Sequence, residues 1–385
     1  MKRIAFVGGM VFNSDSETFV PCNILCDDGF ITDITDANVP YGFETVRVDG
    51  KYIIPGLVDV HTHGIGGYDF NYASEEEMSK MLANYARHGT TSVMATLASQ
   101  TMSKLMNSIF SINQMRLHSR NGCASILGIH LEGRYLNPDM RGCHSPELLA
   151  KPNPDELNSL AFAMMPPPLH FSVAPELDGA DAFIRKAKEF GATVGIAHTC
   201  STYEQAEHAV AIGATSFTHT FNAMTKVHHR NPGCAICALD CDDAYAEIIC
   251  DGKHVHPAMV KLAYKSKPSD KLVLVTDSMA ATASPDGDYE IAGTKVYVRG
   301  GRATDASGNL AGSTLTMFRA LMNMMDFCDI SLNEAIKYAT INPAKMIDAD
   351  SVGKIARCYR ADFIVLDDIN TPDIDTVYVG GEKVF

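Results

Sequence analysis

Short apolar runs alternate with stretches of helical spacing through most of the chain. The runs are four to seven residues long and bounded by polar or glycine-containing turns, which indicates buried strands. The stretches between them repeat apolar residues three and four positions apart, as at Met78, Met81 and Leu82. This repeated strand, loop and helix pattern predicts a (β/α)₈ barrel, a TIM-like fold. The predicted strands cover residues 57–60, 91–97, 125–131, 169–174, 193–197, 215–218, 246–250 and 272–276.

Both ends of the chain show a different pattern, with short β-rich runs separated by Gly, Asp and Asn turns. We therefore expect residues 1–54 and 354–385 to join in one small β-sandwich beside a barrel domain of residues 55–353. A β-hairpin insertion is predicted near 285–312, and it could act as a lid over the barrel mouth. The runs at the two ends are residues 3–7, 22–26, 30–34, 45–48, 361–366, 376–379 and, after a Gly-Gly turn, 383–385.

Composition narrows the class of protein. The chain has 385 residues, 46% of them hydrophobic, which is enough for a barrel and a small second domain. The formal net charge of -14 argues against a nucleic-acid partner, because phosphate backbones attract basic surfaces. No apolar stretch reaches the ~20 residues that a membrane span needs, and Gly8 and Gly9 interrupt the first apolar run, so we expect neither membrane insertion nor a signal peptide. Eleven cysteines without an export signal indicate reduced thiols and a cytoplasmic protein.

Two histidines end the first predicted barrel strand. His61 and His63 follow an apolar run that begins at Pro55 and Gly56. Alternation along a strand directs both side chains to the same side, about 7 Å apart, where both could reach one metal ion. The alternative is a pair of surface histidines in a loop. Polar residues at the ends of later predicted strands favour the metal site, because the catalytic residues of such barrels lie where the strands end. At the ends of later strands lie Glu132, His198, His219, Asp251, His254 and Asp277.

Glu132, His198 and His219 supply one carboxylate and two imidazoles, a ligand set typical of catalytic Zn²⁺ with one position open for water. Such a cation lowers the pKa of that water toward ~7. Zn²⁺ is the favoured divalent metal, and Fe²⁺ or Mn²⁺ would accept the same ligands. A second ion is possible with Glu132 shared, so the sequence leaves open one or two ions per subunit. The candidate ligands of that second ion are His61, His63 and Asp277.

Asp277 ends the last predicted barrel strand, an apolar run that would hold its carboxylate near the metal. A carboxylate in that position could take a proton from the attacking water and later give it to a leaving amine, as amide hydrolysis requires. The alternative is that Asp277 only caps the segment that begins at Ser278.

Several blocks of the sequence resemble the N-acetylglucosamine-6-phosphate deacetylases of the amidohydrolase superfamily, in the family order and over nearly the whole chain. The most specific blocks are Phe-Asn-Ala-Met at 221–224 and Leu-Ala-Gly-Ser at 310–313. The other matching blocks are residues 55–63, 130–133, 142–144, 197–199, 218–220, 229–233, 251–254 and 275–277.

The resemblance implies metal-dependent hydrolysis of N-acetyl-D-glucosamine 6-phosphate to D-glucosamine 6-phosphate and acetate. It also implies that Glu132, His198 and His219 hold the principal metal, and that Asp277 is the general base and then the general acid. His144 would help to polarise the acetyl carbonyl, where negative charge develops during the attack.

The family also implies contacts with the rest of the substrate. His254 would contact a sugar hydroxyl, and Asn222, Ala223 and Arg230 would bind the phosphate, because a guanidinium fork matches phosphate oxygens in pairs. Arg230 would reach the neighbouring subunit's site, so the family implies a homodimer. Without the family, a solvated surface charge is the favoured interpretation of Arg230. The remaining pocket residues implied by the resemblance are Cys143, Leu310, Ala311 and Gly312.

Some positions depart from the family pattern. Some members carry Gln-X-Asn where this chain retains His61 and His63, which is why the number of ions stays open. Arg134 stands where Pro is usual and could alter substrate reach or preference, and Asn231 stands where Glu often follows the arginine. Two alternative functions remain: a deacetylase of N-acetylgalactosamine 6-phosphate, and a sugar-phosphate sensor without catalysis. The sensor is disfavoured, since every proposed ligand and the Asp277 carboxylate are present.

Overall fold

A closed barrel of parallel strands forms the centre of the computed structural model, which describes residues 3–117 and 122–385. Eight strands lie side by side in chain order in one sheet. The sheet closes because the backbone N–H of Asp277 donates to the carbonyl of His61 at 2.9 Å. The predicted (β/α)₈ barrel is thereby confirmed. Its strands are Leu57–Thr62, Thr90–Ala98, Ser125–Glu132, Leu169–Val173, Thr193–Ile196, Ser216–Phe217, Tyr245–Ile249 and Leu272–Val275.

Helices connect the barrel strands and cover their outer side. The first begins after Ser74, which makes a capping box with Glu77, and it buries Met78 and Met81 against the barrel, as the apolar spacing predicts. The α-helices are Glu75–Arg87, Met102–Leu117, Pro154–Met164, Ala180–Glu189, Tyr203–Ile212, Gly233–Asp240, Pro257–Ser266, Met317–Cys328, Leu332–Ala335 and Ile341–Met346, and the 3₁₀ helices are Pro138–Met140, Pro146–Leu148 and Ile336–Ala339. No helix within the described ranges is long and apolar enough to cross a membrane.

The interior of the barrel is polar beneath its mouth. His61, His130, His170 and Glu247 are all fully buried there. His130 Nε2 lies 2.9 Å from the hydroxyl of Ser172, so this layer is linked by hydrogen bonds. The apolar core instead lies between the strands and the helices, where Val58 and Val60 of the first strand belong to the same cluster as the helical methionines. Side chains at alternate positions of a strand therefore point either outward into the apolar core or inward into the polar interior of the barrel.

Both ends of the chain form a two-layered β-domain beside the barrel, as predicted. One layer has four strands and the other has six, including Tyr52–Pro55, which leads directly into the barrel. Phe6 packs between the layers, with its ring 5.2 Å from Phe363 and 4.7 Å from Tyr378. Three of these strands lie outside the predicted runs: Met10–Asn13, Thr18–Pro21 and Tyr52–Pro55. The others are Arg3–Val7, Asn23–Asp27, Phe30–Thr35, Glu44–Arg47, Phe363–Leu366, Ile374–Val379 and Glu382–Lys383.

A three-stranded antiparallel sheet, Gly287–Ile291, Thr294–Arg299 and Arg302–Thr304, lies beside the barrel mouth and is called the lid sheet below. The predicted hairpin corresponds to its first two strands, and the third was not predicted. Its apolar face packs against residues that follow the eighth strand. The hydroxyl of Thr294 donates to the carbonyl of Cys143 at 2.7 Å. A second short pairing, Gly64–Ile65 with Tyr68–Asp69, follows the first barrel strand.

Candidate active site

The two histidines of the first barrel strand point at the same carboxylate. His63 Nε2 lies 3.0 Å from Oε2 of Glu132, and His61 Nε2 lies 3.4 Å from Oε1. Both rings are buried, which excludes the alternative of two surface histidines in a loop. The strand-end positions predicted from the sequence are therefore brought together.

Two more histidines reach Glu132 from the opposite side of the barrel. His219 Nε2 and His198 Nε2 lie 3.1 Å and 3.4 Å from Oε1 of Glu132, and 3.2 Å from each other. His198 Nδ1 donates to the carbonyl of Met140 at 2.6 Å, which leaves the Nε2 lone pair directed at the carboxylate. Glu132, His198 and His219 thus form one of two groups, among the residues that the structure describes, whose ligand atoms all lie within 4.8 Å of one another.

Asp277 joins the second of these groups, together with His61, His63 and Glu132. Its Oδ1 lies 3.3 Å from His63 Nε2 and 3.7 Å from His61 Nε2. Glu132 belongs to both groups, so its carboxylate could be shared by two ions. The Asp277 side chain is also part of the cavity wall, which fits a proton-transfer role better than a purely structural cap.

Three of these residues have left-handed backbone conformations. The φ angles are 44° at His198, 32° at His219 and 49° at Asp277. Non-glycine residues adopt such angles at a cost in free energy, and they persist where the surrounding structure holds them, commonly at functional sites. Each residue lies where a barrel strand ends, and the local turn directs its side chain into the mouth.

The carboxylates of Glu132 and Asp277 favour positive charge on the histidines around them. Burial alone would lower the pKa of His63, but its contacts with Asp277 and Glu132 raise it to about 9. Burial likewise opposes ionisation of Asp277, yet the hydrogen bond from His63 and the charge of His61 hold its pKa at about 2. His61 Nε2 is buried and has no hydrogen-bond partner. Imidazole nitrogens and carboxylates that converge in this way fit a divalent cation.

His144 differs from the candidate metal-ligand histidines in the position of its proton. The backbone N–H of Ser99 donates to His144 Nδ1 at 3.4 Å, and the Ser99 hydroxyl lies 2.9 Å from the same nitrogen. The proton of the neutral ring therefore resides on Nε2, which lies 3.7 Å from Glu132. Burial lowers the pKa of His144, which favours this neutral donor form. The ring is thus suited to donate to a substrate oxygen.

A cavity of about 620 Å³ opens over this group. His254 is held at its wall by the carboxylate of Asp251, which lies 2.7 Å from Nδ1. Arg141, which the sequence analysis did not select, also lines the cavity, and it donates to the carbonyl of His144 at 2.9 Å. The predicted substrate-binding residues that line the cavity are Cys143, His144, Asn222, Ala223, His254, Leu310, Ala311 and Gly312.

Two arginines selected from the sequence do not line this cavity. Arg230 lies in an exposed segment, where its guanidinium donates to His229 Nε2 at 2.9 Å. Arg134 pairs with Glu156 at 2.7 Å and donates to the carbonyl of Gln100, so its side chain is directed away from the metal ligands. These contacts of Arg134 do not support the expectation that it alters substrate reach. The role of Arg230 in a dimer stays a prediction.

Glu247 is a buried carboxylate that the sequence analysis missed. Its Oε2 lies 3.2 Å from His61 Nδ1 and accepts from the backbone N–H of His219 at 3.2 Å. The only signal in the sequence is an acidic residue in the middle of the apolar seventh strand, Tyr245–Ile249. A charged residue in such a strand is almost always paired, which could have marked it as a functional candidate.

Comparisons with known proteins show which family the chain matches. Residues 52–384 match the model of the amidohydrolase family. An N-acetylgalactosamine-6-phosphate deacetylase of Escherichia coli O157:H7 is 33% identical over 89% of this chain and 93% of its own length. An N-acetylglucosamine-6-phosphate deacetylase of Bacillus subtilis (strain 168) is 32% identical over 85% of this chain and 83% of its own.

A solved structure has the same fold over its whole length. It is a mutant of N-acetyl-D-glucosamine-6-phosphate deacetylase from Mycobacterium smegmatis in complex with N-acetyl-D-glucosamine-6-phosphate, with a TM-score of 0.90, 29% identity and 100% of both chains covered. The extent of the family match and the similarity to the Escherichia coli enzyme lead to one conclusion: the chain belongs to the amidohydrolase family.

Proposed function

We propose that this protein is a metal-dependent deacetylase that hydrolyses N-acetyl-D-glucosamine 6-phosphate to D-glucosamine 6-phosphate and acetate. The observation that carries the proposal is the convergence of Glu132, His198, His219 and Asp277 on one wall of a cavity large enough for a sugar phosphate, with the Nε2–H of His144 beside them. Relatives with this activity at about 30% identity over most of the chain support the same substrate class.

The proposal includes one or two divalent ions per subunit, with Zn²⁺ preferred and Fe²⁺ or Mn²⁺ possible. Glu132, His198 and His219 would hold the principal ion, and His61, His63 and Asp277 would hold a second with Glu132 shared. A divalent cation at this position lowers the pKa of a water molecule and polarises a carbonyl oxygen. The set of possible ligands supports a metal ion at this site, because four imidazoles and two carboxylates converge in a buried space.

The protein's own residues would then carry the proton transfers. Asp277 would take a proton from the attacking water and deliver it to the amine nitrogen as the C–N bond breaks. The Nε2–H of His144 would donate to the acetyl oxygen, where negative charge develops. Ser99 keeps that ring in the required tautomer, since its backbone N–H donates to Nδ1.

The remaining contacts would orient the sugar and the phosphate. His254 would contact a sugar hydroxyl, while Leu310, Ala311 and Gly312 line the cavity wall next to the lid sheet. Asn222 and Ala223 would bind the phosphate together with Arg230 of the neighbouring subunit in a homodimer. The exposed position of Arg230 supports this arrangement, because its side chain lies on the surface, where a second subunit could meet it.

N-acetylgalactosamine 6-phosphate is a second candidate substrate, since the relative from Escherichia coli carries that activity in its name. The two sugars differ only in the orientation of the 4-hydroxyl. Initial rates of acetate release on both compounds, with purified protein and added Zn²⁺, Fe²⁺ or Mn²⁺, would separate the candidates. Equal or reversed preference would reject the gluco substrate. Tight binding without turnover under any metal would reject the deacetylase itself.

We also propose that the protein works in the cytoplasm. The support is that its eleven cysteines are free thiols, which a reducing compartment maintains. Two of them, Cys234 and Cys237, form a Cys-X-X-Cys pair, but burial raises the pKa of both thiols and makes them poor nucleophiles. Fractionation of the source cells, with detection of the protein by antibody, would test the location.

A further inference from the structure

Glu247 lies beneath the candidate metal ligands and outside the cavity. It is the middle residue of the seventh barrel strand, and its side chain is fully buried. It is not among the residues that line the cavity, whereas Glu132 and Asp277 are. A substrate in the cavity therefore meets Glu132 and Asp277, while any effect of Glu247 on the reaction must pass through its neighbours.

A single oxygen of Glu247 connects the two candidate ligand groups. Oε2 accepts from the backbone N–H of His219 at 3.2 Å, so this oxygen presents lone pairs to its surroundings. The same oxygen lies 3.2 Å from His61 Nδ1, which must then carry the proton of a neutral ring. That tautomer leaves the Nε2 lone pair of His61 directed toward Glu132 and Asp277.

The other oxygen of Glu247 is less well paired. Oε1 is buried without a hydrogen-bond partner among the described residues, and His170 Nε2 lies 4.0 Å from it. Burying a carboxylate this incompletely paired costs free energy. An apolar residue would fill the strand at less cost, so the retained carboxylate points to a role beyond packing.

We infer that Glu247 is a positioning residue that fixes His61 for metal binding and thereby controls occupancy of the site formed by His61, His63, Glu132 and Asp277. This inference rests on the proposed metal dependence. A carboxylate that accepts from the second nitrogen of a metal-ligand histidine orients the ring and makes it a stronger ligand, and loss of such a partner typically weakens metal affinity by about 10- to 100-fold. The His198 side of the centre, held by Met140, should depend less on Glu247.

The test is metal binding by the full-length protein and its E247Q variant. Each is dialysed against a series of buffered free Zn²⁺ concentrations, and bound zinc per chain is measured by elemental analysis. Wild-type protein should bind two ions in two steps. In Glu247→Gln one step should persist and the other should shift by about tenfold or more. An unchanged isotherm, equal weakening of both steps, or a wild-type protein without a second step would overturn the inference.

A matched control comes from the same buried layer of the barrel. Ser172→Ala removes the hydroxyl that bonds His130 Nε2 at 2.9 Å but touches no candidate ligand, so both binding steps should stay unchanged. The double variant His61→Asn, Glu247→Gln should bind no less zinc than His61→Asn alone, because Glu247 acts through His61. Further loss in the double variant would contradict that route.

A measurement on the wild-type protein avoids any folding defect in the variants. Long-range ¹H–¹⁵N NMR of the zinc-loaded, histidine-labelled protein reports which ring nitrogen carries each proton, and comparison with His61→Asn assigns the His61 signals. A proton on Nδ1 of His61 supports the inference, and a proton on Nε2 overturns it. If the wild-type protein binds zinc as described but releases no acetate, the proposed function fails while the positioning role stands.

Discussion

At the scale of single residues, their hydrogen bonds distinguish Asp277 from His144. Asp277 accepts from His63, so its carboxylate stays ionised at neutral pH, with a pKa held at about 2. His144 is a neutral donor because Ser99 occupies its Nδ1. The proposed proton transfer and the proposed carbonyl polarisation therefore fall to two side chains in different protonation states.

Replacement of Asp277 by Asn should leave substrate binding largely intact while kcat falls by ~10² or more, because a general base and acid is removed. The side chain keeps its shape, so KM should change by less than kcat. Steady-state kinetics of acetate release would show the effect. Circular dichroism and a metal-to-chain ratio provide the controls, and a near-normal kcat in a folded, metal-loaded variant would refute the assignment.

The buried histidines also predict how metal-free protein responds to pH. The raised pKa of His63, about 9 against an ordinary 6.5, means that its proton stabilises the fold fully below pH 6.5 and is lost toward pH 9. The lowered pKa of Asp277 contributes stability above its ordinary 3.8 and loses it toward pH 2. The Tm of chelator-treated protein should therefore be highest between these ranges and fall from pH 6.5 to 9.

Added Zn²⁺ should reverse the fall in Tm between pH 6.5 and 9, because deprotonated imidazoles bind the ion and protons compete with it. Differential scanning calorimetry with and without Zn²⁺ at each pH would measure both curves. His208, exposed and paired with Asp181, offers a matched control: His208→Gln should leave the difference between the curves unchanged. A metal-free Tm that rises from pH 6.5 to 9 would contradict the prediction.

At the scale of secondary-structure elements, the lid sheet is held over the mouth by apolar contacts. Val296, in its central strand, is fully buried and packs in one cluster with Met279 and Ala311, and Ala311 also lines the cavity. The Thr294 bond to Cys143 ties the lid sheet to the segment that carries His144. The sheet thus shapes both the cavity wall and the position of a candidate catalytic side chain.

Val296→Asp should detach the lid sheet, because a buried unpaired carboxylate costs several kcal/mol. We expect KM to rise by about tenfold or more, because the cavity wall loses its backing. The matched control is Arg302→Ser on the exposed side of the same sheet, which should leave KM unchanged. Steady-state kinetics and thermal melts would decide, and a folded Val296→Asp protein with normal KM would contradict this role of the sheet.

At the scale of the whole molecule, the barrel brings residues from distant parts of the chain to one mouth, while the two chain ends join beside it. The Arg230 prediction extends this assembly to a second subunit.

Arg230→Ala should chiefly raise KM, because the phosphate is remote from the reacting carbonyl. Light scattering would establish whether the protein is a dimer, and a loss confined to kcat would contradict the phosphate role.

Mixed subunits would show whether Arg230 acts across the interface. Neither Arg230→Ala nor Asp277→Asn protein alone should be fully active. At a substrate concentration low enough that the Arg230→Ala protein is nearly inactive, equal mixing after dissociation should restore about a quarter of wild-type activity, since half of the dimers are mixed and each holds one site with both side chains intact. Each variant mixed with itself is the control. Activity equal to the average of the two parents would place Arg230 in its own subunit's site or outside catalysis.

The sequence by itself determined the order of the barrel strands, the joining of both chain ends, and the candidate metal ligands that end the strands. These features could be predicted because apolar alternation is local and because parallel strands end at a common mouth. Only the tertiary structure revealed the contact of Glu247 with His61, residues 186 positions apart, and the tautomer that Ser99 imposes on His144. It also showed that Arg134 pairs with Glu156 rather than facing the ligands. Such pairings depend on how the barrel closes, and no local pattern in the sequence encodes that closure.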